Sequence, residues 1–262
     1  MQIAPSTQHI FRNLTAFCTD VLNATLADPV RTGRLHTLGE LAIAVERFVR
    51  GYERLDDEIF DTDDEILNWT FDECATDLAS ALWLLASGFY KASASSLRNA
   101  LDIATAALYF QVRENAHTGP GWNKFYTEWD RGDRQTPNWG EMKSILAVQP
   151  AVTAFAAVSG ANLVEEAHQF FHHLCGHTHT SAFDSRGHAV TAINLTGTAP
   201  AFEPDAFTRG ADLAQETMAR IVMLWQVVFP GIAGTDPLKG LDAAIVSMLF
   251  PAPYGPSLLT HR

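Results

Sequence analysis

Apolar residues return every third or fourth position through most of this sequence, and that spacing makes an all-α, up-and-down helical bundle the fold it is built to adopt. Ile10, Leu14, Phe17, Val21 and Leu22 keep the period through a first segment. It starts near Ser6-Thr7 and ends at Asp28-Pro29, because the residue before a proline avoids the helical region. Leu38, Leu41, Val45, Phe48 and Val49 keep it in a second, where Thr37 and Glu40 read as a capping box. Two strong Ala/Leu-rich helices follow, Phe71–Phe89 and Tyr90–Glu114, with Gly88 as the break between them. Trp139–Val148, a segment opened by Pro150, Val164–Thr180, Pro204–Phe229 and Leu238–Phe250 complete the helical set. Two stretches depart from the pattern. Arg186–Leu195 has β-branched residues in partial alternation, which predicts one short extended or β arm near 188–196. The proline-rich run from Pro251 to Pro256 predicts a non-helical tail lying over the surface.

With 262 residues, 47% of them hydrophobic, the chain can bury one large core, and no repeat or composition shift marks an internal boundary. The expectation is a single helical domain over 1–262, with the core bundle at about 37–250 and a C-terminal tail at 251–262. The formal net charge of −12 opposes broad, non-specific nucleic-acid binding, which needs clustered cations, but leaves room for a small local basic site. Part of the acidic excess lies in Asp56, Asp57, Glu58, Asp61, Asp63, Asp64 and Glu65. This run reads as a solvated connection or helix start, since the glycine that a calcium loop needs at its turn is missing. Cys18, Cys74 and Cys175 are widely spaced and form no Cys-x-x-Cys pair. They read as buried hydrophobes in a reducing cytoplasm rather than as a disulfide or zinc framework. The N-terminus has no leader pattern and no apolar run is long enough for a membrane span, so no membrane partner is expected.

The chemistry-bearing residues concentrate in one helix. Five of the ten histidines fall between 168 and 179: His168, His172, His173, His177 and His179. On a helix, His168 and His172 share one face, and His173 and His177 form a second pair rotated by about 100°. Glu165 lies three residues before His168. Together Glu165, His168 and His172 present a three-ligand surface for one divalent metal. A di-metal bundle would want a second carboxylate–histidine helix, and none is found. The plainer alternative is that these histidines cap carbonyls, pack against Phe170 and Phe171, or face solvent. A further alternative is acid–base work on a phosphodiester, for which imidazole has the right pKa. That chemistry needs a cation for developing phosphorane charge. Arg98 is the leading candidate, on an otherwise small and apolar helix face. Asp102, four residues on, is its local partner, and the plainer alternative is a structural pair tying helices together. The segment Trp122, Phe125, Tyr126 and Trp129, with Lys124, Arg131 and Arg134, reads as a base-stacking platform or as a core-covering lid or dimer contact. No Gly-x-Ser-x-Gly elbow, phosphate loop or dinucleotide fingerprint occurs.

The stretch from Tyr90 to Asp102, with Leu97-Arg98 inside it and Leu108-Tyr109-Phe110 behind it, resembles the central helix of HEPN-like proteins. Phe171 to Thr180, with Leu174 and His177-Thr178-His179, resembles their second signature. Trp129, Gly132, Trp139 and Met142 fit the connecting region. The resemblance covers about residues 70–185. It implies a four- to five-helix bundle, commonly a homodimer. It also implies a role in phage defence or toxin–antitoxin systems, either as a metal-independent endoribonuclease with no cofactor or as an inactive subunit that binds a protein partner. On this reading His179 and His177 are catalytic, with Arg98 and Asp102 from the neighbouring helix. The family's ribonuclease motif places Arg four to six residues before its His. If His179 is that His, the Arg would fall near His172, His173 or Leu174, and none of these is Arg.

Overall fold

The computed structural model describes residues 5–50, 65–115, 128–129, 131–133, 135–178, 203–232 and 238–260. Within them the chain forms helices α1 (Pro5–Ala27), α2 (Pro29–Arg50), α3 (Glu65–Ala86), α4 (Tyr90–Asn115), α5 (Trp139–Leu146), α6 (Pro150–Ser159), α7 (Leu163–Thr178), α8 (Pro204–Val228), α9 (Ala243–Leu249) and α10 (Gly255–Thr260). No strand occurs among the described residues, so the fold is all-α. The arm expected near 188–196 lies outside them, as do Trp122, Lys124, Phe125, Tyr126 and Arg134 and most of the acidic run after Arg50. No single described helix is long and apolar enough to cross a membrane.

Helix α4 is the centre of the bundle, packed against α3, α5, α7 and α8. Its small residues make this possible. Ala94, Ala100, Ala104, Ala106 and Ala107 are all buried and let neighbouring backbones approach closely, while Leu97, Leu101, Leu108, Tyr109 and Phe110 fill the gaps between them. Polar side chains bridge the seam. The Ser93 hydroxyl donates to the Ala81 carbonyl at 2.8 Å, and the Trp225 indole of α8 donates to the Ala104 carbonyl at 3.3 Å. Trp225 and Tyr109 are fully enclosed; burying a large aromatic favours folding by several kcal/mol.

The α3–α4 turn uses Gly88 at φ +80°, a conformation costly for any residue with a Cβ. A Cβ there would also stand 2.9 Å from Val21 Cγ1 of α1, so glycine serves both the turn and the packing.

The element order agrees with the periodicity, and the differences lie at ends. Helix α2 begins at Pro29, not at Thr37. Asp28 is the cap, its carboxylate accepting from the Val30 and Arg31 amides at 2.9 and 3.4 Å, and proline suits a first helical turn. Thr37 lies inside the helix and returns its hydroxyl to the Gly33 carbonyl at 3.0 Å. Helix α9 is shorter than expected because Asp242 caps it, accepting from the Ala244 amide at 2.7 Å. The C-terminal tail is a correction: Gly255–Thr260 is helical, with Pro256 in its first turn, where no amide donor is required. Leu258 is fully buried, and Gln226 of α8 donates to its carbonyl at 3.1 Å. At the other end Val21 of α1 is buried too. The continuous core runs from Leu38 to Leu258.

Candidate functional site

Helix α7 carries the histidines, and its local sequence explains their direction. Asn162 caps it, accepting from the Glu165 amide at 3.0 Å. Leu163, Val164, Ala167, Phe170, Phe171 and Leu174 recur at helical spacing and are buried against the bundle. The remaining face holds His168 and His177, half-buried, and His172 and His173, exposed. Two ion pairs fix the helix laterally. Lys143 of α5 meets Glu165 at 2.9 Å, and Arg220 of α8, itself tied to Glu216 of its own helix at 3.1 Å, meets Glu166 at 2.8 Å. At such exposure ion pairs act on position more than on stability.

Three helices converge beside His168. Trp139, in the first turn of α5, stacks on the His168 ring (centroids 5.8 Å apart, planes 20°) and packs against Phe171 at 4.8 Å. Arg98 of α4 lies over the other partner of that stack, its guanidinium carbon 5.0 Å from the Phe171 centroid. Arg98 and Asp102 do not close into a salt bridge. The Arg98 Nε and the Trp139 Nε1 are both buried, and neither finds a hydrogen-bond partner among the described residues. Leaving a buried donor unmatched costs roughly 1–3 kcal/mol, and two such donors at one junction are unusual.

Asp102 shares this junction. Burial pushes its carboxyl above the usual carboxylate range, and the nearby Arg98 charge opposes the shift. The Trp139 indole also favours the charged carboxylate, though it stops short of hydrogen-bond geometry. On α7, His168 Nε2 and His172 Nε2 are 3.0 Å apart, so one ring donates and the other accepts. Burial lowers the His168 pKa first, and the positive charge of Lys143 and then His172 lower it further, while Glu165 opposes them. His168 is therefore a neutral base at physiological pH.

The structure brings Arg98, Asp102, His168 and His172 to one junction. His177 stands apart, its Nε2 3.1 Å from His173 Nε2 on a neighbouring face. His179 lies outside the described residues. Glu165 does not join the histidines as a third ligand. Its oxygens take hydrogen bonds from Lys143 at 2.9 Å and Gln169 at 3.3 Å, and the Lys143 bond holds its carboxyl below the usual range. No group of three His, Cys, Asp or Glu side chains stands in metal-binding arrangement among the described residues. Trp139 and Lys143 had no site role in the sequence reading. Only the docking of α5 brings them to the histidine face, and no spacing within one helix reports that.

No family model matches the chain, and neither does any curated protein or solved structure. The junction itself holds a fixed cation, unmatched N–H donors, a neutral imidazole base beside a second imidazole, and a raised carboxyl. That set can bind an oxyanion and move a proton beside it.

Proposed function

We propose that the chain is a HEPN-like helical protein of a bacterial defence or stress module, working in the cytoplasm as a homodimer and cleaving RNA without a metal at the α4–α5–α7 junction. The observation that carries this reading is the pair of buried, unmatched donors, Arg98 Nε and Trp139 Nε1, beside the His168–His172 pair. A phosphodiester oxygen is an acceptor of the kind both donors lack, and charge-assisted bonds from Arg strengthen as phosphorane charge develops. In the reaction His168 takes the proton of the ribose 2′-hydroxyl as that oxygen bonds to phosphorus. His172 gives a proton to the departing 5′-oxygen. The products are a 2′,3′-cyclic phosphate and a free 5′-hydroxyl. The net charge of −12 confines RNA contact to this local site rather than a broad basic face.

The test is induced expression of the wild-type chain, Arg98→Ala and His168→Ala, with cellular RNA integrity and growth as readouts. Degraded RNA with wild type and intact RNA with Arg98→Ala supports the reading. Equally intact RNA and equal growth for wild type and both variants removes the ribonuclease and leaves a binding subunit as the surviving form of the resemblance, and equally degraded RNA removes this junction as its site.

A further inference from the structure

We propose that His173 and His177, on the outer face of α7, form a two-armed chelate for a divalent transition-metal ion of square-planar or octahedral preference, of the copper(II) or nickel(II) class. This site uses neither histidine of the RNA junction and stands or falls separately from it.

The geometry of the pair carries the argument. The two Nε2 atoms are 3.1 Å apart. An ion held ~2.05 Å from each nitrogen would then subtend an angle of ~98°, nearer the 90° of adjacent square-planar or octahedral positions than the tetrahedral value. The ring centroids are 4.6 Å apart with planes at 86°. They are thus only 1.5 Å farther apart than the nitrogens (4.6 minus 3.1), less than two ring radii would add in a head-on N–H···N bond. The rings meet through their Nε2 atoms, as those of His168 and His172 do, so a metal ion can take the place of the shared proton. One turn of helix sets the spacing, and the buried Phe170 and Leu174 beside the pair hold that turn in place. A chelate with both arms fixed in advance loses little freedom on binding.

The surroundings distinguish this pair from its neighbour. His173 is exposed and can take up an ion from solution. Arg220 of α8 lies 5.9 Å from the Phe170 ring, which in turn lies 6.2 Å from His173, but its charge is matched by Glu166 and Glu216. The His168–His172 pair has a similar spacing of 3.0 Å, yet it is covered on one side by Trp139 and faces the Lys143 charge, which disfavours a second cation. Among divalent ions imidazole nitrogen binds copper most tightly, so copper(II) is the probe of choice.

The experiment uses the full chain without an affinity tag. Copper(II) is titrated against a weak competing chelator, with electron paramagnetic resonance reporting the number of coordinated nitrogens. Wild type should take its tightest equivalent with two nitrogen ligands. His173→Ala and His177→Ala should each weaken that equivalent by ~100-fold, as expected when a two-armed ligand becomes one-armed. His36→Ala, an exposed histidine on α2, should leave it unchanged. Circular dichroism of each variant confirms that the helices persist, since both substitutions put a better helix former on an outward face. A His173→Ala/His177→Ala chain that binds its first copper as tightly as wild type overturns the proposal. So does a wild-type spectrum with a single nitrogen.

Discussion

The Arg98 guanidinium of α4 lies 5.0 Å from the centre of the Phe171 ring of α7, with His168 one turn before that ring and His172 next to it in the chain. That contact, rather than a salt bridge to Asp102, fixes the cation at the junction. A charge held over an aromatic face keeps its donors available to a ligand, whereas a carboxylate would occupy them.

Replacing Arg98 should therefore separate function from stability. Arg98→Lys keeps the charge but loses the planar fork and the Nε donor. It should reduce RNA cleavage by ~100-fold, the usual consequence of losing one donor to a developing oxyanion. The same substitution should shift the thermal midpoint by only a few degrees, because a cation–π contact of this kind is worth ~1 kcal/mol. Turnover and thermal melting of one preparation check both halves.

Asp77 on α3 supplies a pH test of the fold. Burial first, and then the charge of Glu73, raise its pKa from 3.8 to about 6. An acid with a higher pKa folded than unfolded binds more protons in the folded state. Its contribution to stability is therefore lost as pH rises from 3.8 to about 6. Asp77→Asn should raise the melting temperature at pH 7.5 and make no difference near pH 3.5. Melting curves across that range read the effect, and an advantage at low pH alone would contradict it.

Gly88 should resist substitution. Alanine there must adopt φ +80° and meet Val21 at 2.9 Å, which should destabilise the chain by about 2 kcal/mol in urea unfolding. Replacing Gly33, an α2 position where a Cβ meets nothing within 4 Å, should instead be neutral or stabilising.

Much of this bundle is legible in sequence because each helix writes its buried face as a repeat. Phe170, Phe171 and Leu174 are spaced to face inward, so the outward histidines follow by subtraction. Caps are less legible when one residue serves two helices. Asp28 ends α1 and starts α2, and nothing local marks Thr37 as the weaker candidate. The tail misleads because prolines exclude a helix interior but suit its first turn. The site was legible only as parts. Arg98 and His172 stand seventy-four positions apart in the chain (172 minus 98), and Trp139 enters through a tertiary docking that no helical period encodes.

Cys74 should be inert. Burial first, then the Asp77 charge, push its thiol up to about 12, and it sits against the Ala100 carbonyl at 3.7 Å. Thiol titration of the native chain should leave Cys74 unmodified while the half-buried Cys18 and Cys175 react, and denaturant should release all three. Rapid native modification of Cys74, located by peptide mass, would mean that α3 and α4 open readily.

Cleavage of a defined single-stranded RNA by the purified, tag-free chain in excess chelator, with the product ends analysed, decides whether the α4–α5–α7 junction is a ribonuclease site. The expected products carry 2′,3′-cyclic phosphate ends, formed without added metal, at a rate that falls ~100-fold or more in both Arg98→Ala and His168→Ala. RNA left intact by the wild-type chain, or cleaved equally by wild type and both variants, would rule out this junction as a ribonuclease site.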